Sequence, residues 1–172
     1  MLAARRQISM LAFMTPAYVA LGSNLGNRRA LLDAAIFMLD AIPQTWHVTT
    51  ATYRETAPVD APSGSPPFLN SVVLLNTKLE PEDLMRNLFT IEADLGRRRD
   101  GTRNGPRIID LDLILFGDQQ LSTPLLTVPH PRMAQRKFVL EPLAEIAPDL
   151  VHPQTGKTIR VMLAELISAG AS

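Results

Sequence analysis

The chain contains no cysteine. Disulfides, thiolate zinc sites and a cysteine nucleophile are thereby excluded, and the composition fits a reducing, cytoplasmic setting. An excess of charge of one sign is missing as well. Seventeen Lys and Arg balance seventeen Asp and Glu, so no global field argues for nucleic acid or an anionic membrane as a partner. No apolar run approaches the ~20 residues that a bilayer span requires. Aromatic residues make up only 5%, which speaks against a sheet that stacks RNA bases. The three histidines, His47, His130 and His152, are too widely separated to show metal-ligand spacing. The turn "LGSNLGN" lacks the spacing and lysine of a Walker loop and the third glycine of a dinucleotide fingerprint, which leaves it the simpler role of a turn and helix cap.

What is present suits one globular domain. The 172 residues are 46% hydrophobic and 20% charged, enough to bury a substantial core. We expect the domain to span 17–172. The opening "MLAARRQISMLAFMTP" carries Arg5 and Arg6 before a short apolar run, but Ser9 interrupts that run and no A-x-A site follows. It is expected to be a leader, 1–16, disordered or wrongly assigned, with Met14 an alternative start.

Along the chain, Ala17 to Leu21 reads as a buried strand, and Ser23, Asn24 and Asn27 are placed to start a helix. Leu31, Leu32, Ala35, Ile36 and Leu39 recur at helical spacing until Pro43. "WHVTTATYRET" is a second strand, the proline-rich "APVDAPSGSPP" an extended loop, and "FLNSVVLLNTKL" a third strand. Pro81 suits the first position of a helix running to Gly96. A basic loop, "RRRDGTRNGPR", leads into a last strand, followed by a tail with a final helix near Ile159 to Ile167. The order predicts an α+β fold, a ferredoxin-like β-α-β-β-α-β sheet with helices packed on one face, plus a C-terminal extension.

The stretch "GPRIIDLDLILFG" holds two aspartates in an otherwise apolar strand. Alternation puts Ile109, Leu111, Leu113 and Leu115 on one face and Ile108, Asp110, Asp112, Ile114 and Phe116 on the other. Neighbouring carboxylates repel and lose hydration when covered, so they require a cation. An isolated D-x-D is more often solvated or paired with arginine. Here Arg97, Arg98, Arg99, Arg103 and Arg107 lead directly into the strand, and arginines with a carboxylate-bound Mg²⁺ are the two kinds of group that polyphosphate recognition uses. His130 is fixed between two prolines, which serves a site or a rigid turn equally well. His47 is most simply structural.

Six blocks in order, "VALGSNLGN", "YRETAPV", "FLNSVV", "GPRIIDLDLILFG", "LTVPHPRM" and "FVLEPLAEIAPDL", resemble the 6-hydroxymethyl-7,8-dihydropterin pyrophosphokinase family of folate biosynthesis, over about Ala17 to Leu166. The resemblance implies transfer of a pyrophosphoryl group from ATP to the pterin hydroxymethyl oxygen, with release of AMP. It implies two Mg²⁺ ions held by Asp110 and Asp112, and catalytic roles for these two with Arg97 and Arg107. It implies ATP contacts from Arg97, Arg99, Arg107, Thr127 and His130, with Glu92 as an extra carboxylate nearby. On the pterin side it implies Thr56, Val59, Phe68, Asn70 and Phe138. Read without the family, Phe68 and Phe138 default to core positions.

The chain departs from the family pattern at Asn104, Asp60, Pro131 and Leu125, which bears on loop closure and affinity. The segments Ala57 to Pro67 and Arg97 to Pro106 are expected to act as closing loops. The expected partners are small molecules, ATP and the pterin, with no nucleic acid and no membrane; oligomeric state is left open. A two-metal phosphoesterase would need further carboxylate or histidine ligands, and an RNA- or protein-binding module would need exposed aromatics and a broadly basic face.

Overall fold

The computed structural model of the chain describes residues 14–59, 63–98 and 106–170. The strands are β1 Thr15–Ser23, β2 Thr45–Thr50, β3 Arg54–Thr56, β4 Phe68–Thr77 and β5 Asp110–Phe116, with a small pair β6 Leu121–Ser122 and β7 Thr127–Val128. The helices are α1 Arg28–Asp40, α2 Pro81–Asp94, α3 Lys137–Ile146 and α4 Ile159–Gly170, with a 3₁₀ turn at Met133–Gln135. The main sheet runs β2-β4-β1-β5, with β3 also paired to β4, and every pair is antiparallel.

Local signals account for the helix ends. Asn27 caps α1, its side-chain oxygen accepting from the Ala30 N–H at 3.2 Å. Pro81 opens α2, followed by Glu82 and Asp83 in the first turn. The helix closes on Gly96, at φ 93°, with Gly96 N–H bonded to Ala93 O at 3.0 Å and Arg97 N–H to Glu92 O at 2.9 Å. That is a Schellman closure, and it folds Arg97 back over its own helix toward Glu92.

Two apolar cores sandwich the sheet. On one face Val19, Leu21, Val73 and Leu75 pack with Leu32 and Leu39 of α1 and Leu84 and Leu88 of α2. On the other, Tyr18, Val72 and Ile114 pack with Val139, Leu140 and Leu143 of α3 and Ile159 and Met162 of α4. The two helices of the β-α-β-β-α-β unit, α1 and α2, share one face, and the helices of the C-terminal extension cover the other. The sequence hid α3 because Pro142 lies inside it and reads as a helix breaker. Its ring is buried in the packed face, and the helix continues through it.

The chain differs from its expected pattern in three further places. The first strand begins at Thr15 and reaches Ser23, and the "WHVTTATYRET" strand divides into β2 and β3. The expected alternation holds from Asp110 to Ile114 and then reverses, and Ile108, expected on the face of the aspartates, packs against the first core instead. A register shift between Tyr18 and Val19 sets Tyr18 opposite Leu115 and Val19 opposite Leu113, so Leu115 joins the second core and Phe116 the first.

Candidate active site

The α3/α4 face of the sheet is covered along only part of its length. Moving along β1, the residues on this face shrink from Tyr18 to Ala20 to Gly22. Their neighbours change from apolar to polar: Ala20 lies between Val72 and Asp112, and Gly22 between Asn70 and Asp110. Small residues on the central strand, flanked by polar ones, leave a concavity. A cleft forms there, floored by Ala20 and Gly22 and walled by Phe138 and Val139 at the start of α3.

One end of the cleft is charged. Asp110 accepts from Arg97 at 2.5 Å through Oδ1 and from Arg107 at 2.8 Å through Oδ2. Arg97 also pairs with Glu92, whose side chain is 2% exposed and whose Oε1 accepts the Leu111 N–H at 2.7 Å. Glu92 therefore stands behind the cleft, fixing both Arg97 and the backbone of β5 between the two aspartates. Burial alone would lower the Arg97 pKa, but Asp110 and Glu92 outweigh it and raise that pKa above its ordinary value. Asp112 is less well compensated, with Arg136 3.7 Å away. Burial, reinforced by the like charge of Asp110, pushes its carboxyl up to about 6.

The other end is aromatic and carries neutral polar groups. Phe68 and Phe138 line it, with Thr56, Val59 and Asn70. Asn70 Nδ2 donates to Thr56 Oγ1 at 2.6 Å, leaving the amide oxygen on the side that faces Gly22. The Arg136 guanidinium lies 5.5 Å from the Phe138 ring centre, joining the apolar wall to the charged end.

Eight residues picked out in the sequence thus line a single cleft: Thr56, Val59, Phe68, Asn70, Arg107, Asp110, Asp112 and Phe138. Arg97 and Glu92 form the layer behind it. Thr127 is exposed on β7, with its hydroxyl 3.3 Å from that of Ser122, and does not line the cleft. His130 is tied beside β5 by a 2.9 Å bond from its N–H to Ile114 O. Its Nδ1 accepts the Arg132 N–H at 3.2 Å, and burial, with Arg136 and Arg132, pushes its pKa down to about 4. Arg99, Asn104 and Asp60 lie outside the described residues.

Sequence reasoning passed over Arg132, Gln135 and Arg136, which line the cleft. The signal was a second basic cluster just after the His-Pro pair. It also passed over Asn24, whose Oδ1 accepts the Arg107 N–H at 2.7 Å while its Nδ2 donates to Pro66 O at 3.2 Å. This buried amide joins the described ends of both loops that were expected to close.

An antiparallel sheet covered by helices on both faces, with a cleft that runs from paired aspartates and arginines to two phenylalanines, has the form of a small-molecule site. The chain belongs to the 7,8-dihydro-6-hydroxymethylpterin-pyrophosphokinase family, whose model matches residues 18–148. It is 45% identical over 147 residues to the 2-amino-4-hydroxy-6-hydroxymethyldihydropteridine pyrophosphokinase of Pseudomonas aeruginosa, covering 86% of this chain and 89% of that protein. It is 43% identical to the protein of the same name from Methylorubrum extorquens, covering 91% and 97%. Its fold is also that of a Plasmodium falciparum HPPK-DHPS solved with pterin and p-hydroxybenzoate, at a TM-score of 0.71 and 15% identity, over 92% of this chain and 44% of that one.

Proposed function

We propose that this protein transfers a pyrophosphoryl group from ATP to the hydroxymethyl oxygen of 6-hydroxymethyl-7,8-dihydropterin in tetrahydrofolate biosynthesis. The pterin hydroxyl oxygen bonds to the β-phosphorus and gives up its proton to solvent, the bond from that phosphorus to the oxygen bridging to the α-phosphate breaks, and AMP leaves. The observation that carries this reading is the single cleft joining Asp110 and Asp112 to the Asn70, Thr56 and Phe138 slot, in a chain of this family. The strand order β2-β4-β1-β5 with two crossing helices on one face supports a ferredoxin-like core in which this cleft is formed.

The donor set suits Mg²⁺. Two carboxylates sit on one strand face, and burial together with the like charge of Asp110 raises the Asp112 pKa to about 6. Among the described residues no third acidic or histidine side chain completes a protein-only cage. A hard ion held here would draw on phosphate and water for further oxygens, as Mg²⁺ commonly does. Asp110 and Asp112 are the residues that would hold two Mg²⁺ ions, and the ions supply charge neutralisation along the triphosphate.

The chain's own groups align the reactants. Arg107 offers its guanidinium to phosphate oxygens, and Arg97, held by Glu92 and Asp110 behind the cleft, adds its charge to the same ATP site. Arg99, Thr127 and His130 extend this ATP surface in the proposed complex. Asn70 and Thr56 direct the pterin edge, with the Val59 backbone beside them, while Phe68 and Phe138 bound its faces. Fixing both reactants in line is the main contribution a protein makes to phosphoryl chemistry.

The test is the identity of the products. With ATP, Mg²⁺ and the pterin, AMP should form in step with pterin pyrophosphate. ADP or inorganic phosphate as the nucleotide-derived product would overturn the assignment.

A further inference from the structure

We infer that Glu145, on the helix that carries Phe138, is a positioning residue for the heterocycle end of the cleft. It sets where β3 lies against α3, and so the spacing between Phe138 and the Thr56–Asn70 pair. The inference rests on the pterin reading of that slot.

The geometry is a clamp between the two walls. Glu145 follows Phe138 by seven residues, two helical turns on, so both project from the same side of α3. Its Oε1 accepts the Thr52 N–H at 2.9 Å and the Thr52 hydroxyl at 2.8 Å, and its Oε2 pairs with Arg54 at 2.6 Å. Arg54 opens β3 and sits opposite Asn70 in the ladder, while Thr56 sits opposite Phe68. The path from Glu145 to the Asn70 amide therefore runs through one short strand and the 2.6 Å bond to Thr56.

That strand needs external support. β3 is three residues long and offers few ladder bonds of its own. Glu55 points to the opposite face, where Arg28 of α1 holds it at 2.8 Å and also grips Pro67 O at 2.8 Å. β3 is thus held from both faces, but only the Glu145 side connects it to the helix bearing the aromatic wall. The Arg54 and Glu145 side chains are 35% and 32% exposed, and ion pairs this open contribute little to global stability. The hydrogen bonds from Thr52, with Arg54, hold the Glu145 carboxyl below the usual carboxylate range, so the clamp stays charged at neutral pH.

Glu145→Ala and Glu145→Gln, assayed beside the unaltered protein, test this. Glu145→Ala should raise KM for the pterin roughly five- to tenfold, with KM for ATP within about twofold and Tm within about 3 °C. Glu145→Gln keeps acceptors for Thr52 but loses the charge that holds Arg54, so its pterin KM should fall between the other two. Equal rises in both KM values, an unchanged pterin KM, or a Gln variant no better than Ala would overturn the inference. Amide exchange across residues 52–56 needs no substrate: faster exchange in Glu145→Ala supports the clamp and unchanged exchange overturns it. Absence of pterin turnover in the unaltered protein would instead overturn the proposed function, leaving the exchange result to decide the clamp.

Discussion

Gly22 and Asn70 are cross-strand partners, and a Cβ on Gly22 would lie 2.8 Å from the Asn70 amide oxygen and 3.6 Å from the Phe68 ring. What glycine provides here is space beside the Asn70 amide. Gly22→Ala should displace Asn70 and weaken pterin binding about tenfold or more, as overpacking by one methyl does. Binding of an ATP analogue should change by less than about twofold. Calorimetry on the variant checks this, and equal losses for both ligands would remove Gly22 and Asn70 from the pterin slot.

Asp110 and Asp112 should separate on stability even though both matter for turnover. Each Asp→Asn change is expected to cut kcat by about 10²-fold or more. Asp110→Asn weakens the pairing of Arg97 and Arg107 and should lower the metal-free Tm at pH 7.5. Asp112→Asn removes a carboxylate whose charge is disfavoured by burial and by Asp110, and should raise that Tm by roughly 2 °C or more. Melting curves of the two variants moving in the same direction would contradict this division.

The pH dependence has a definite sign. The Asp112 pKa, about 6 when folded, lies above the roughly 3.9 of an unfolded chain. Its contribution to stability is therefore fully present below about pH 4 and lost as pH rises toward 6. His130 works oppositely. Its folded value of about 4 lies below the unfolded ~6.5, so its contribution is present above that range and lost as pH falls toward 4. The Tm gain of metal-free Asp112→Asn over the unaltered protein should grow between pH 4.5 and 7. Mg²⁺-dependent nucleotide binding should weaken below pH 6, because the ion must displace the Asp112 proton.

Arg97 and Glu92 should prove to be a single unit. Arg97→Ala removes a cation from a carboxylate that is 2% exposed and should cost about 3 kcal/mol of stability. Adding Glu92→Gln removes the buried charge while keeping an acceptor for the Leu111 N–H, and should restore part of the loss. Denaturant unfolding of the single and double variants gives the coupling; additive losses would contradict it.

Much of this architecture is legible in the residues themselves. Apolar spacing in α1 and α2, Pro81 at a helix start and the alternation around Asp110 each reflect a local rule that nothing in the tertiary structure overrides. The hidden parts depend on contacts distant in sequence. Pro142 sits inside α3 with its ring buried, so that helix escaped local reading while α4, the other half of its layer, did not. The reversal at Leu115 and Phe116 follows from one extra β5 residue, Ile114, opposite the Tyr18–Val19 step of a strand far away in sequence. Glu92 looks like any helix-surface acid until the Gly96 turn brings Arg97 back onto it. Arg132 and Arg136 become part of the cleft only when the segment after His130 is pinned beside β5.

The central claim is that the Asp110–Asp112 pair binds divalent ions carrying a nucleotide's phosphates, next to a slot for the pterin. The most direct measurement is calorimetric titration with a non-hydrolysable ATP analogue, with and without Mg²⁺, followed by the pterin. The account predicts strong nucleotide binding only with Mg²⁺, its loss in Asp112→Asn, and tight pterin binding to the nucleotide-loaded protein. Nucleotide binding that is equally strong without Mg²⁺, or that survives in Asp112→Asn, would contradict it.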